Sequence, residues 1–220
     1  LEWLGCLYRL AARRKETEVA EQGSHHSYCE ARRGRDLVRG GRGSLCYVGG
    51  EGSVGSFLGN GLSMPGIGGF REQQAAHYVS AYWTMAMIGR FAGSALLARF
   101  SPSRLLAIFA LVNVGLLATT MMTSGSVALY SVVAIGLFNS IMFPTIFALS
   151  IERLGPLTNK GSSLLIMAIV GGAVVPYLQG VLADHIGVQA SFILPLLCYG
   201  YIIFYGLVGA RTSASATQGG

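Results

Sequence analysis

The chain has 220 residues, of which 52% are hydrophobic and only 12% are charged, and its formal net charge is +6. An ordinary soluble domain carries about 25% charged residues, so the composition excludes a soluble globular protein for the chain as a whole. A net positive charge suggests nucleic-acid binding, but we also reject this function. The basic residues flank apolar runs of membrane-spanning length, and such flanking charge is typical of cytoplasmic loops.

The first 43 residues form a basic, polar amino-terminal segment. Nine of the sixteen Lys and Arg residues lie between Arg9 and Arg42. Two interpretations stay open. The segment is a cytoplasmic connector, with 1–10 as the stub of a preceding helix, or it is translated in a shifted frame, since Arg- and Gly-rich runs arise that way in GC-rich genes. We expect it to be poorly ordered, and because the chain begins with Leu, we expect a fragment.

A transmembrane domain is predicted over residues 44–210, followed by a cytoplasmic tail at 211–220. Four charge-free runs, and a fifth broken only by Arg90, reach the ~18–20 residues that a helix needs to cross the hydrocarbon core. A sixth run is glycine-rich and contains Glu51. Helices are predicted rather than barrel strands, because backbone in lipid must satisfy its own hydrogen bonds and the runs are too long for strands. The predicted spans are about 44–63, 74–98, 105–122, 126–151, 161–183 and 186–210.

The distribution of basic residues predicts the orientation of these spans. Arg99 and Arg104 flank one loop, Arg153 and Lys160 flank another, and Arg211 follows the last span. By the positive-inside rule these alternate loops and both chain ends are cytoplasmic. An even number of spans keeps both ends on one side, which favours the sixth span. The sequence thus predicts an all-α integral membrane bundle of five to six transmembrane helices.

The sequence contains no nucleophile motif, phosphate loop, paired carboxylates or metal-ligand spacing. No enzyme, catalytic residue, metal site or bound cofactor is therefore predicted. The four cysteines, Cys6, Cys29, Cys46 and Cys198, show no metal or redox spacing. Cys198 lies in an apolar run and is interpreted as a small core residue.

Several segments together resemble a known family. They include Tyr47-Val48-Gly49, the EQQAA run at 72–76, Gly89-Arg90-Phe91, the GLFNSIMFPTIF run at 136–147 and the GVLAD run at 180–184. From about residue 47 to residue 207, the chain resembles the second six-helix half of the fucose/glucose/galactose permease family. This family belongs to the major facilitator superfamily. The resemblance implies half of a major-facilitator-type helical bundle. In the family, the first six spans hold the acidic residues that couple proton movement to sugar uptake, and those spans are expected to be missing here.

The resemblance also implies a function. We expect secondary active transport of a hexose or deoxyhexose, similar to glucose, galactose or fucose, with this chain as an incomplete half. The coupling ion would be a proton or sodium. The expected partners are the lipid bilayer, a small-molecule sugar and either the missing amino-terminal half or a second copy, in a bacterial inner membrane. The alternative is a non-transporting membrane remnant, or a helix-bundle subunit that needs a partner.

Five side chains are candidates for contact with the sugar. A polar group at membrane depth needs a partner, and aromatic faces stack on sugar C–H groups. For Glu51 and Gln179 the alternative is a position at the membrane interface. For Trp83 it is an interfacial anchor, and for Asn139 a hydrogen bond between helices. The candidates are Glu51, Asn60, Trp83, Asn139 and Gln179.

Four further residues are predicted to have gating or structural roles. Gly89 and Gly93 have the spacing that lets two membrane helices approach closely. Arg90, between them, is expected to hold an inward-facing gate rather than to contact sugar. Pro144 lacks a backbone N–H and favours a kink in the span that contains it.

Overall fold

The computed structural model describes residues 27–62, 72–152, 154 and 158–209, and all regular structure in this part of the chain is helical. The described residues 27–36 belong to one compact unit, and the bundle that begins at Leu37 is a second unit. The predicted tail at 211–220 lies outside the described residues. The helices are α1 (Ser27–Leu62), α2 (Glu72–Leu97), α3 (Pro102–Met122), α4 (Ser126–Asn139), α5 (Met142–Ile151), α6 (Thr158–Met167), α7 (Gly171–Ile186), α8 (Val188–Ser191) and α9 (Ile193–Phe204). A 3₁₀ turn at Ala168–Val170 joins α6 to α7, and a π-helical turn at Tyr205–Gly209 follows α9.

Helix α1 begins at Ser27, well before the predicted boundary at residue 44. The helix therefore overlaps the predicted amino-terminal segment from residue 27 onward, and the poor order of that segment stays a prediction. Arginine has a high helix propensity, so the basic stretch extends the helix on its amino-terminal side. Hydropathy locates the apolar part of a helix, but it does not locate the residue at which the helix begins. Residues 1–26 lie outside the described part of the chain.

Four helical stretches among the described residues are long and apolar enough to cross a membrane. They overlap the four charge-free runs, and three of them contain a local break in the α-helix. Helices α1 and α2 have 36 and 26 residues but are more polar, so their crossing of the membrane stays a prediction. The four stretches are Pro102–Met122, Ser126–Ile151, Thr158–Ile186 and Val188–Val208.

Helix α4 lies at the centre of the bundle, packed against both α2 and α3. Glycines make the contact with α2 close. A Cβ atom at Gly89 would collide with the main-chain oxygen of Leu137, and one at Gly93 would collide with Ile141. On the other helix, a Cβ at Gly136 would lie 2.5 Å from the main-chain oxygen of Tyr82. The small residues allow the two backbones to approach each other, as is common between membrane helices.

Helix α1 uses Gly49 in the same way against α7. A Cβ atom at Gly49 would collide with Val175. Gly171 of α7 leaves no room for a side chain against the main-chain oxygen of Leu45. These two glycines therefore allow α1 and α7 to pack closely.

The outer surface of the bundle is strongly apolar. Large hydrophobic side chains such as Phe91, Leu111, Tyr177 and Leu197 are more than half exposed. A water-soluble protein rarely exposes contiguous apolar surface of this kind, whereas a surface in contact with lipid requires it.

Candidate functional site: a buried cluster around Asn139

The span 126–151 is divided into two helices by a break at its middle. Helix α4 ends at Asn139, and α5 begins at Met142 after Ser140 and Ile141. Pro144 follows in the first turn of α5. Because Pro144 has no N–H, it cannot donate the helical hydrogen bond to the Ser140 carbonyl, which gives the break a chemical cause. The break brings polar backbone groups into the interior of the bundle.

Four other polar side chains gather around Asn139 at this break. The Asn139 Nδ2 donates to the Tyr82 hydroxyl at 3.0 Å, and its Oδ1 accepts from the Asn113 Nδ2 at 2.8 Å and from the Tyr199 hydroxyl at 2.7 Å. The Tyr47 hydroxyl donates to the Asn139 main-chain oxygen at 2.9 Å. We call these five residues the Asn139 cluster. They come from α1, α2, α3, α4 and α9, so the cluster links five helices.

The Asn139 cluster is closed to its surroundings. Asn139, Asn113 and Tyr199 are 0% exposed, and Tyr82 is 1% exposed. An amide group without hydrogen-bond partners costs several kcal/mol in hydrocarbon. This cost explains why both the oxygen and the nitrogen of the Asn139 side chain have hydrogen-bond partners. This arrangement favours the interpretation of Asn139 as a hydrogen-bond link between helices. For Asn139 to contact a sugar, the cluster would have to open.

Glu51 and Trp83 are neighbours of cluster residues, and both are more accessible than the cluster itself. The half-buried Glu51 lies one turn after Tyr47, and its carboxyl group interacts with the Tyr47 hydroxyl. Since a hydroxyl has one hydrogen, Tyr47 cannot donate fully to both Glu51 and Asn139. The Trp83 side chain is 52% exposed. Its ring packs edge-to-face on Tyr82, with the centroids 5.5 Å apart.

The Arg90 side chain is exposed on α2, and its positive charge acts on the Glu51 carboxyl group. Glu51 and Arg90 thus lie on α1 and α2 with opposite charges, within range of a Coulomb attraction. Gly89 and Gly93 on either side of Arg90 lie at the close contact with α4 described above. The gating role of these three residues stays a prediction.

The sequence candidate Gln179 lies away from this arrangement. Gln179 is fully buried on α7, and its Nε2 donates to the Ser191 hydroxyl of α8 at 3.4 Å. Its Oε1 is buried and has no hydrogen-bond partner among the described residues. Asn60 belongs to α1, but its side chain lies outside the described part of the structure.

Of the five cluster residues, sequence reasoning named only Asn139 as a candidate and missed Asn113, Tyr199, Tyr47 and Tyr82. The signal for Asn113 was present, because it is an amide in the middle of the charge-free run 105–122, just as Asn139 is in its own run. The rule that a polar group at membrane depth needs a partner applies equally to both amides. The sequence did not predict a buried hydrogen bond for Tyr199, because tyrosine is also common at membrane interfaces.

No protein-family model matches the chain. The glucose/galactose transporter of Brucella abortus is 52% identical over 178 residues, which are 81% of this chain and 43% of that protein. The putative glucose/galactose transporter of Helicobacter pylori strain J99 is 45% identical over 182 residues, 80% of this chain and 44% of that protein. The L-fucose-proton symporter of Escherichia coli K12 is 33% identical over 172 residues, 78% of this chain and 39% of that protein.

The fold is also similar to a solved structure. A crystal structure of the major facilitator superfamily transporter FucP, in the outward conformation, aligns with a TM-score of 0.78 and 32% sequence identity. The alignment covers 86% of this chain and 46% of that chain. The chain therefore spans less than half the length of the relatives it matches.

The apolar helices and these similarities define a multi-pass integral membrane protein with the fold of half a major facilitator superfamily transporter. More particularly, the chain belongs to the fucose/glucose/galactose permease family of that superfamily.

Proposed function

We propose that this chain is the carboxy-terminal half of a secondary transporter that moves a hexose or deoxyhexose across the membrane. The observation that carries the proposal is the 52% identity over 178 residues to a glucose/galactose transporter. The similarity to an L-fucose-proton symporter supports the same class of sugar and a proton as the coupling ion, with sodium as the other candidate. The chain acts with an amino-terminal six-helix half, because it spans only 43% of the first relative.

The Asn139 cluster supports a rigid-body mechanism for this half. Alternating access in such transporters is largely the rocking of one half against the other around a site near the bilayer midplane. Hydrogen bonds that join α1, α2, α3, α4 and α9 at one buried point favour the movement of these helices as a single body. A single half has nothing to rock against, so the chain alone does not transport.

The sugar-facing wall in this proposal is built from the accessible residues next to the cluster. Glu51 accepts hydrogen bonds from sugar hydroxyls, and Trp83 stacks on the sugar ring. Arg90 balances the charge of Glu51 and holds the inward gate. Asn60 and Gln179 remain proposed contacts with the sugar.

The proposed location is the inner membrane of a bacterium, with both chain ends in the cytoplasm. Arg99 and Arg104 flank the turn between α2 and α3, and Lys160 lies in the first turn of α6. These positions fall on alternate connections of the bundle, in agreement with the positive-inside rule.

A reconstitution experiment tests the proposal. The chain is placed in lipid vesicles either alone or with the amino-terminal six-helix half of the Brucella abortus transporter. Uptake of labelled glucose, galactose and fucose is then measured with imposed proton and sodium gradients. We expect gradient-dependent uptake of at least one sugar from the pair and none from the chain alone. Uptake by the chain alone would instead indicate a homodimeric transporter.

A second candidate function is that of a non-transporting membrane subunit or remnant. The same coverage of less than half of each relative favours it. In this case the pair of halves assembles without transporting any of the three sugars under either gradient.

A further inference from the structure

Four arginines lie at one end of the bundle, on helices that contact each other there. Arg39 and Arg42 belong to α1, Arg99 to the turn after α2, and Arg104 to the first turn of α3. The side chain of Arg39 is half-buried, and the other three are exposed. We call these four residues the basic rim. A cluster of four or more basic residues at the ends of membrane helices is typical of a surface that binds anionic lipid.

The end of α9 holds the parts of the basic rim together. The Tyr201 hydroxyl of α9 donates a hydrogen bond to the main-chain oxygen of Arg39 at 3.2 Å. Gly206, in the π-helical turn that follows α9, lies against the start of α3. A Cβ atom there would be 3.0 Å from the main-chain oxygen of Ser103, the residue directly before Arg104. The same helix end thus contacts both α1 and α3.

Positive charge exceeds negative charge at this end of the bundle. Glu152 is exposed at the end of α5, and the Ser150 hydroxyl of that helix lies 3.0 Å from the Tyr205 hydroxyl. In the sequence, Asp36 comes directly before the bundle. The four arginines therefore outnumber these two carboxylates. Arginine side chains favour phosphate as a partner, because the guanidinium group can donate two parallel hydrogen bonds to it.

An exposed apolar surface continues from the basic rim along α3 and α9. Ile108 and Leu111 follow Arg104 by four and seven positions, so the three exposed side chains share one face of α3. Leu197 and Phe204, seven positions apart, are exposed on α9, which packs against α3. We call these four apolar residues the α3–α9 face. A free phosphate ion would leave this face uncovered, whereas the acyl chains of a phospholipid would cover it.

We propose that the basic rim binds the phosphate group of an anionic phospholipid whose acyl chains lie along the α3–α9 face. The negative headgroup is attracted by all four arginines, and its phosphate oxygens accept charge-assisted hydrogen bonds. A zwitterionic lipid has the same chains, but its cationic group is repelled by the rim. The bound lipid joins the ends of α1 and α3 and stabilises the chain. This inference concerns the chain itself and does not rest on sugar transport.

The test uses the full chain in detergent, titrated with phosphatidylglycerol. The comparisons are phosphatidylcholine with the same acyl chains and glycerol 3-phosphate, which carries the phosphate without the chains. Native mass spectrometry counts the bound lipids, and thermal unfolding measures stabilisation. We expect phosphatidylglycerol to remain bound and to raise the unfolding temperature, with a smaller effect at high ionic strength. Phosphatidylcholine should bind more weakly, and glycerol 3-phosphate should cause no shift.

Two variants test whether the basic rim is the binding site. Arg42→Gln and Arg104→Gln should each weaken the binding of phosphatidylglycerol about fivefold. Because both side chains are exposed, the unfolding temperature without lipid should stay nearly unchanged. The matched control is Glu152→Gln, which removes a negative charge at the same end and should not weaken binding. Unchanged affinity in both arginine variants would overturn the proposal.

Fluorescence quenching tests the position of the acyl chains. Phe204→Trp is made together with Trp3→Phe and Trp83→Phe, so that the new tryptophan is the single emitter. Phosphatidylglycerol with brominated chains should quench this tryptophan more strongly than brominated phosphatidylcholine at the same concentration. Equal quenching by the two lipids, equal stabilisation by them, or stabilisation by glycerol 3-phosphate alone would each refute a site for an anionic lipid.

Discussion

The side-chain oxygen of Asn139 accepts a hydrogen bond of 2.7 Å from the Tyr199 hydroxyl, across 60 positions of sequence. Both residues are 0% exposed. The bond ties the middle of the broken span to α9, and the same amide bonds to Tyr82 and Asn113. Asn139 is therefore the residue on which the mutual position of these helices depends.

Replacing Asn139 with alanine should destabilise the chain. Three interhelical side-chain bonds of about 0.6 kcal/mol each are lost, so we expect the free energy of unfolding to fall by about 2 kcal/mol. Thermal unfolding of the purified chain in detergent, followed by circular dichroism, measures the change. The control is Asn159→Ala, because that side chain is exposed. Equal unfolding temperatures for the two variants would contradict a central role for Asn139.

Replacing Gly89 with alanine should also destabilise the bundle. The added methyl group would collide with the main-chain oxygen of Leu137, which cannot move aside as a flexible side chain would. Overpacking of this kind costs about 1–3 kcal/mol. Gly115→Ala is the matched control, since nothing lies within 4 Å of a Cβ at that helical position. If both variants unfold alike, α2 and α4 are not packed as closely as described.

Gln189 should stabilise the carboxy-terminal end of α3. Its Nε2 donates to the main-chain oxygens of Thr123 at 2.6 Å and Thr120 at 3.3 Å, which are groups left without helical partners at a helix end. Gln189→Ala should cost about 1 kcal/mol. Gln189→Glu should cost more, because a carboxylate would face two carbonyl oxygens at the negative end of the helix dipole. Hydrogen exchange at the end of α3 should quicken in the same order, and the reverse order would refute the assignment.

Glu51 should matter for the affinity of the assembled transporter for its sugar. Replacing a charged acceptor with a neutral one weakens a hydrogen bond by about 1 kcal/mol. For Glu51→Gln we therefore expect KM to rise by about five- to tenfold, with the two halves reconstituted together. Glu152→Gln is the matched control, because Glu152 is exposed at the end of α5. An unchanged KM would remove Glu51 from the proposed sugar site.

Arg90 should affect the rate of transport without affecting the stability of the half. Its side chain is exposed in this half, so Arg90→Ala should leave the unfolding temperature of the chain nearly unchanged. In the assembled transporter, loss of the Arg90 charge should lower the initial rate of uptake. Lys160→Ala, in the first turn of α6 and also exposed, serves for comparison. Transport by Arg90→Ala at the unaltered rate would rule out the gating role.

The helical character and the four apolar stretches followed from the sequence by itself. Both follow from properties of a single segment. About 20 successive apolar residues are unstable in water, and in lipid their backbone groups must form hydrogen bonds within their own helix. The family resemblance could also be recognised from the sequence alone, because it rests on contiguous motifs such as the run at 136–147. Neither inference requires knowledge of which helices are neighbours.

The role of each polar residue was decided only by the tertiary structure. Asn139 finds partners 26, 57 and 60 positions away, and Tyr47 reaches it across 92 positions. The sequence showed that its amide needed partners, but it left open whether a sugar or other helices supply them. Such contacts depend on how helices cross, and the crossings depend on small residues such as Gly49 and Gly89, at positions that hydropathy does not register.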